Sequence, residues 1–246
     1  MFSHMPAASL RKLDRRQVAG FRFYQIDGNM YPSITSILSI QSNEKLESWK
    51  ERVGKDVASY AARMGAIRGT AFHEICTDYL NNMDISKHRN KILAMGLFNL
   101  VKSEIDRIDD IRVMETPMFS HKFGMAGQVD CIGTFDGVLS VIDFKSATRS
   151  KTPDILLNHY IQETAYSLMW RETTSEMIKQ IVTIVSCENG ETQVSIQEPI
   201  NYVNELTRCI REFYEHAERN KLSCKTGQFP GIIYQKAQKY AGKKNE

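Results

Sequence analysis

The sequence predicts an α/β protein in which a mixed central sheet is flanked by helices. Two β-rich runs surround the dipeptide Asp136-Gly137, which is a preferred turn of antiparallel hairpins. A helical run over residues 155–171 and a β-branched run over residues 177–186 follow this hairpin. Because a strand, a helix and a further strand in that order favour parallel pairing, we expect the sheet to contain both strand directions.

The first 30 residues are predicted to form a basic arm and a small hairpin. Residues 1–22 carry five basic side chains and one acidic side chain, which we interpret as a partly disordered arm rather than a transit peptide. Residues 21–31 contain Asp27-Gly28-Asn29 between two apolar runs, and this pattern predicts a short hairpin.

Residues 31–110 are predicted to form a wall of helices. A short helix is expected over residues 33–40, and a longer helix from Asn43, as its N-cap, to Met64. Apolar residues recur along the longer helix at three- and four-residue steps, which predicts a buried stripe made of Leu46, Trp49, Val53, Val57 and Tyr60.

Two glycines are expected to end this longer helix. The break is placed at Gly65–Gly69, which contains Arg68, and further helices are expected over residues 70–82 and 87–109. His73 lies beside the apolar stripe of the first of these helices, where a lone histidine is more often a core residue than a ligand.

The sheet is predicted within residues 111–220. Its first strand, over residues 111–119, contains one acidic residue, Glu115, which fits an exposed edge position and a functional site equally well. A polar loop with Arg149 and Lys151 follows the hairpin and leaves the sheet where an anion would approach.

The C-terminal part is predicted to alternate helices and strands. Asp154 is expected to cap the helix over residues 155–171, on which His159, Gln162 and Tyr166 share one face. The remaining predictions are a turn at 188–190, a strand to Gln197, a helix over 202–219 and a basic tail over 221–246.

The hairpin turn fixes which residues face each other. If Phe135 faces Val138, then Asp130 lies directly opposite Asp143, and Lys145 points to the same face as Asp143. Directly opposed carboxylates repel, so positive charge is needed between them. Lys145 supplies one charge, and a divalent cation that prefers hard oxygen ligands, Mg²⁺ or Mn²⁺, supplies two. The alternative is a surface hairpin with a solvated Asp143–Lys145 pair.

Four short motifs in this chain resemble those of the PD-(D/E)XK nucleases, and more narrowly their RecB-type exonuclease branch. In that branch G-x-x-x-H, G-x-x-D, D-x-K and Q-x-x-x-Y recur in this order. Val129 stands where the family name has proline, as is usual in the branch. The segment P-S-I-T-S-I-L is also similar to the mitochondrial and phage single-stranded DNA exonucleases of the branch. The matching motifs are Gly69–His73, Gly127–Asp130, Asp143–Lys145 and Gln162–Tyr166.

The resemblance implies a restriction-endonuclease-like fold and a role for each matching residue. The implied metal ligands for Mg²⁺ or Mn²⁺ are His73, Asp130, Asp143 and the Phe144 carbonyl. Lys145 is the implied catalytic cation, and Gln162 supports it. Acidic residues kept as secondary candidates are Glu74 and Glu115, and the substrate-binding candidates are Arg68, Arg149, Lys151 and Tyr166.

The function that this resemblance implies is metal-dependent hydrolysis of DNA from single-stranded ends, in replication, repair or recombination. DNA and proteins of those processes are the expected partners. Three alternatives stay open: a structure-specific endonuclease of the same fold, a non-catalytic DNA-binding subunit, and a phosphoesterase that acts on small molecules.

The composition is compatible with this function but does not require it. The chain has 246 residues, 25% of them charged, and a net charge of +3, which predicts one soluble domain over residues 1–246. The resemblance implies that this is a nuclease domain. Five scattered cysteines without a C-x-x-C pair predict reduced thiols and no iron–sulfur cluster. Without a membrane span or secretory signal, we expect an intracellular protein of a bacterium or phage-infected cell, rather than a mitochondrial one.

Overall fold

The computed structural model describes residues 1–5 and 13–220, and the backbone alone for residues 42–45. A small antiparallel sheet comes first, with strands β1 (Asp14–Val18), β2 (Phe21–Ile26) and β3 (Asn29–Pro32). Three helices follow, α1 (Ile34–Val53), α2 (Lys55–Leu80) and α3 (Ile92–Ile105). The later elements are β4 (Ile108–Ser120), β5 (Met125–Phe135), β6 (Val138–Ala147), α4 (Pro153–Thr174), β7 (Gln180–Cys187), β8 (Thr192–Gln197) and α5 (Val203–Arg219).

The central sheet has the order β4-β5-β6-β7-β8, and its β6–β7 pair is parallel. Both directions are therefore present, as predicted. Asp136 and Gly137 have φ angles of 51° and 78°, and positive values at both positions are what a type I′ turn requires. The predicted register is confirmed from Phe135–Val138 to Cys131–Ile142, where the paired ladder ends.

Helices cover both faces of this sheet because its strands are apolar on both sides. Ile161 of α4 belongs to the same buried cluster as Val141 and Val185 of the sheet, together with residues of α1 and α5. On the opposite face, Phe144 and Ile184 pack in a second cluster with residues of α2 and α3. The predicted mixed sheet between helices is confirmed.

The helix boundaries before residue 81 differ from the prediction. Helix α1 runs without interruption over residues 34–53, and Gly54, with φ of 86°, separates it from α2. The predicted break at Gly65–Gly69 is wrong, because both glycines lie inside α2. Glycine weakens a helix by about 1 kcal/mol relative to alanine, and the burial of the following turns offsets this cost.

The predicted burial of the stripe on α1 and α2 is also wrong. The exposed fractions are 42% for Leu46, 57% for Val57 and 59% for Tyr60. Helical periodicity of apolar residues shows that they share a face, but it does not show that another element covers that face. Apart from Ala58, the buried residues of α2 begin at Phe72, where the helix reaches the sheet.

The described parts of the N-terminal arm, residues 1–5 and 13–22, are more ordered than predicted. Residues 14–18 pair with β2, and the amide of Met5 donates a hydrogen bond to the carbonyl of Ile111. The ring of Phe2 packs edge-on against Tyr79 at a centroid distance of 5.2 Å. The contacts of Phe2 and Met5 are long-range in sequence, so the local basic composition gave no indication of them.

Three smaller predictions are corrected or fall outside the described residues. The third helix begins at residue 92 rather than 87, after a 3₁₀ helix at Ile85–His88. Thr152, rather than Asp154, is the N-cap of α4, because proline occupies the first helical position. The basic tail over residues 221–246 lies outside the described residues.

Two further findings concern cysteines and membrane spans. Cys76, Cys131, Cys187 and Cys209 are buried and free, and Cys224 lies outside the described residues. Within residues 1–5 and 13–220, no helix combines the length and the apolar character needed to cross a bilayer.

Candidate active site

Three candidate metal ligands, from α2, β4 and β5, converge beside the central sheet. The Nδ1 atom of His73 lies 3.4 Å from Oδ2 of Asp130 and 3.8 Å from Oε1 of Glu115. One ligand atom from each of the three residues lies within 4.8 Å of the others. Glu115, which the sequence left undecided, is therefore part of the cluster.

An unusual backbone conformation accompanies the placement of Glu115. Its φ angle is 45°, although the flanking pairs Met114–Cys131 and Thr116–Val129 keep the strands in register. A left-handed conformation in a residue other than glycine costs on the order of 1–3 kcal/mol and is found preferentially at functional sites. The Nε2 atom of Gln128 donates a 2.7 Å hydrogen bond to Oε2 of Glu115 and helps to fix the carboxylate.

Asp130 and Asp143 lie one position beyond the last paired residues of the hairpin, Asp130 before Cys131 and Asp143 after Ile142. The carboxylate of Asp130 accepts a 3.1 Å hydrogen bond from the amide of Phe144. This side-chain contact satisfies an amide beyond the end of the β5–β6 ladder. The register predicted that Asp130 and Asp143 form a directly opposed pair. In the structure the ladder ends one pair earlier, and the Asp130 carboxylate instead reaches the amide of Phe144.

Asp143 and Lys145 form an ion pair next to the cluster. Burial lowers the pKa of Lys145, but the carboxylates of Asp143 and Asp130 outweigh it, so the pKa is raised and the ammonium is charged. Burial raises the pKa of Asp143, and Lys145 opposes this shift. No hydrogen bond of good geometry reaches either carboxylate oxygen of Asp143 from the described residues.

These donors fit a hard divalent cation. Burial lowers the pKa of His73, but Asp130 and Glu115 outweigh it and raise the pKa, so a proton on the imidazole partly offsets the carboxylates. A divalent ion supplies the same compensation with more charge. Carboxylate oxygens with one imidazole nitrogen suit Mn²⁺, and the oxygens suit Mg²⁺. The Asp143 oxygens, of which Oδ2 is ion-paired with Lys145, accept no hydrogen bond from the described residues and are further available ligands.

The predicted phosphate-binding residues divide into two groups. The Nε atom of Arg68 donates a 3.3 Å hydrogen bond to Oγ of Ser146, and its guanidinium pairs with Glu188. The Nζ atom of Lys151 lies 3.0 Å from Nε2 of His159. Arg68 and Lys151 thus lie at the carboxyl end of β6, whereas Arg149 extends into solvent.

Gln162 and Tyr166 connect two of the sequence motifs. The Nε2 atom of Gln162 donates a 3.2 Å hydrogen bond to the hydroxyl of the buried Tyr166. A Cβ atom at Gly127 would lie 2.7 Å from Cε1 of Tyr166 and 3.1 Å from Cγ2 of Ile34. Gly127 is therefore glycine because the tyrosine ring packs against its backbone.

Glu74 is not brought into the metal cluster. Its carboxylate forms an ion pair with Lys91 on the surface. It shares an open groove of about 980 Å³ with His73 and Glu115, and the groove continues to Arg15 and Lys87. A second cavity, of about 360 Å³, is lined by apolar and polar residues of α4, of the following loop and of residues 198–203, and contains none of the predicted site residues.

Sequence reasoning missed Glu163 as a candidate. Its side chain is fully buried, and Oγ1 of Thr183 donates a 2.5 Å hydrogen bond to its Oε1, while Oε2 has no hydrogen-bond partner among the described residues. Burial, followed by the charge of Asp143, raises the pKa of Glu163 well above its usual range. The sequence did contain an indication of this residue, because Glu163 lies four residues after His159, on the helix face that was predicted to include Tyr166.

A comparison of sequences identifies the family. The model of the PD-(D/E)XK nuclease superfamily matches residues 44–230, which is more than half of the chain. The chain belongs to the PD-(D/E)XK nuclease superfamily. The resemblance expected from four short motifs is confirmed, and the observed mixed sheet flanked by helices is consistent with the PD-(D/E)XK fold.

This PD-(D/E)XK chain is similar to mitochondrial genome maintenance exonuclease 1. Identity to the Homo sapiens protein is 24% over 178 residues, which cover 69% of this chain and 47% of that protein. Identity to the Mus musculus protein is 25% over 132 residues, covering 50% of this chain and 39% of that protein. The chain thus spans less than half the length of these curated relatives.

One solved structure resembles this PD-(D/E)XK chain more distantly. It is the crystal structure of a candidate exonuclease from Eubacterium rectale, with a TM-score of 0.45 and 14% sequence identity. The alignment covers 63% of this chain and 66% of the other.

Proposed function

We propose that this chain is a metal-dependent DNA exonuclease that hydrolyses phosphodiester bonds from single-stranded ends. The observation that carries the proposal is the meeting of His73, Glu115 and Asp130 beside the Asp143–Lys145 pair. The similarity to proteins named exonucleases supports the same activity.

The proposed metal ligands come from four elements. His73, Asp130 and Asp143 would hold Mg²⁺ or Mn²⁺, together with Glu115 and the Phe144 carbonyl. Bound there, the cation would lower the pKa of a water molecule and offset charge that develops on the phosphate. The Phe144 amide keeps the Asp130 carboxylate oriented toward His73.

The proposed role of Lys145 is to stabilise negative charge or to orient the attacking water. Its ammonium is charged because of Asp143 and Asp130, which makes it unsuitable as a neutral base. Gln162 and Tyr166 are proposed to support this arrangement from α4. Arg68 and Lys151 are proposed to bind backbone phosphates on the side of β6, and Arg149 to reach phosphates from the exposed part of the loop that also carries Lys151.

The biological setting extends the proposal. We assign DNA as the substrate, and proteins of replication, repair or recombination as partners. The curated relatives are named as mitochondrial. Placement of this chain in a bacterium or a phage-infected cell is therefore a prediction based on its sequence.

The decisive experiment measures cleavage of end-labelled linear single-stranded DNA with Mg²⁺, with Mn²⁺ and with EDTA. The Asp143→Ala variant serves as the matched control because it removes one proposed ligand. Metal-dependent loss of substrate that disappears in the variant is expected. Cleavage in EDTA, or by the variant at the wild-type rate, contradicts the proposal.

A circular single-stranded substrate tests the requirement for an end. An exonuclease leaves the circle intact, whereas an endonuclease of the same fold converts it to a linear product. Cleavage of the circle at a rate close to that of linear DNA would replace the exonuclease assignment by an endonuclease one.

A further inference from the structure

The loop after β6 holds the main chain of Lys151 in a fixed place. The amide of Lys151 donates a 3.1 Å hydrogen bond to Oε1 of Gln193, and Nε2 of Gln193 donates a 3.1 Å hydrogen bond to the carbonyl of Lys151. Gln193 belongs to β8, the edge strand, so one side chain of the sheet forms hydrogen bonds with both the amide and the carbonyl of Lys151. These two hydrogen bonds therefore fix the backbone position from which the Lys151 side chain extends.

The end of the same side chain is held by His159. An ammonium group has three donor hydrogens and no acceptor, so Nε2 of His159 must accept the 3.0 Å hydrogen bond from Lys151. The imidazole is then neutral and carries its proton on Nδ1. Burial, followed by the charge of Lys145, lowers the pKa of His159 to about 3, which keeps the ring neutral.

The charge of Lys151 is not neutralised by its hydrogen-bond partner His159, whereas the neighbouring cations are paired with carboxylates. Lys145 is paired with Asp143, and Arg68 is paired with Glu188. Among the described residues, the hydrogen-bond partner of the Lys151 ammonium is His159, which has no charge, and two of the three ammonium hydrogens are not used by it. Burial and then the charge of Lys145 lower the pKa of Lys151, so an approaching anion relieves an unfavourable environment.

We propose that His159 is a positioning residue that aims the Lys151 ammonium at one backbone phosphate of the DNA strand. The neutral ring fixes the direction of the ammonium at the candidate active site without neutralising its charge. This inference rests on the proposed function, since it identifies the anion as a DNA phosphate. It assigns a role to a helix residue that forms no part of the metal cluster.

The test measures the affinity for a single-stranded oligonucleotide in EDTA at several salt concentrations. His159→Phe keeps a ring but removes the acceptor, and Lys151→Met removes the charge. We expect each variant to weaken binding about fivefold and to reduce the salt dependence by the contribution of about one phosphate, a slope change of roughly 0.7. The double variant should bind no more weakly than either single variant, because both act on one contact.

A conservative variant separates positioning from general damage to the fold. His159→Gln keeps an acceptor oxygen and should restore most of the affinity and of the salt dependence. In cleavage assays, His159→Phe should raise KM with a smaller change in kcat, as expected for lost substrate binding. Unchanged affinity and salt dependence in His159→Phe, additive loss in the double variant, or failure of His159→Gln to restore binding would overturn the inference.

Two readouts distinguish this inference from the proposed function. If the wild-type chain does not bind single-stranded DNA, the proposed function fails. If it binds and His159→Phe binds equally well, the inference alone fails. In the free protein, nitrogen chemical shifts of labelled histidine should show a neutral His159 ring with its proton on Nδ1 at pH 6–8, and a proton on Nε2 would exclude the assigned hydrogen bond.

Discussion

The charge of Lys145 depends on its carboxylate neighbours. Because Asp143 and Asp130 raise its pKa, the residue acts as a fixed cation at neutral pH. We expect Lys145→Ala to reduce cleavage at least about 100-fold, the scale of a lost electrostatic contact to a transition state, while DNA affinity falls little. Lys179→Ala, which removes an exposed charge lining the remote second cavity, is the matched control. A loss of affinity as large as the loss of rate would contradict the assigned role.

His73 can be tested apart from activity. If it is a ligand, His73→Ala should weaken Mn²⁺ binding, measured by calorimetry, by about tenfold or more. His121→Ala removes a half-exposed imidazole from a different part of the surface and should leave the titration unchanged. An unchanged titration in His73→Ala would return His73 to the role of a core histidine.

Gly127 leaves no room for a side chain. A Cβ atom there would lie 2.7 Å from the ring of Tyr166, so we expect Gly127→Ala to lower the free energy of unfolding by about 1–3 kcal/mol. Gly69→Ala is the matched control, since a Cβ atom there meets its nearest neighbour, Oγ of Ser146, at 4.0 Å and alanine favours the helix. Urea denaturation of both variants checks the prediction, and equal stabilities would contradict the packing argument.

At the scale of elements, substitutions on the exposed and the buried side of α2 should differ in their effect on the free energy of unfolding. Replacing Tyr60, which is 59% exposed, by serine should change the free energy of unfolding by less than about 0.5 kcal/mol. Replacing the fully buried Phe72 of the same helix by alanine should cost about 3–5 kcal/mol. Thermal denaturation distinguishes the two, and a large cost for Tyr60→Ser would mean that another surface covers it.

The central hairpin shows where sequence reasoning succeeds, and helices α1 and α2 show where it fails. The Asp136-Gly137 turn fixes the hairpin register locally, because the φ angles that the turn requires suit those two residues. The break between helices was misplaced because the sequence does not distinguish Gly54, which has a positive φ angle, from Gly65 and Gly69, which are helical. A periodic pattern likewise cannot reveal that Val57 faces solvent.

The candidate site follows the same division. Asp130 and Asp143 were placed together by local geometry, whereas Glu115 required knowledge of its left-handed backbone. Glu163 was missed because only the packing of α4 against β7 shows that its carboxyl is buried beside Thr183. Local sequence patterns therefore predicted the strands and the spacing of the motifs. The packing of α2 and α4 against the sheet, which is long-range in sequence, brings the remaining site residues together.

At the scale of the whole molecule, the buried carboxyl of Glu163 should make stability depend on pH. Its pKa is raised in the folded state, so its contribution is fully present below the usual pKa of glutamate and is lost as the pH rises. In EDTA, Glu163→Gln should therefore be more stable than wild type at pH 8, by about 1–3 kcal/mol, with a smaller difference near pH 4. Glu198→Gln, at an exposed position, should show no such trend.

The order of strands in the central sheet also governs when the site can exist during synthesis. A nascent chain that has emerged through α3 contains His73 but not yet Glu115, Asp130 or Asp143. The parallel β6–β7 pair closes only after α4 has been made, since the two strands are joined through that helix. Ribosome-bound fragments that end at α3 therefore lack the candidate site, and we expect it to be fully assembled only after β7 has joined the sheet.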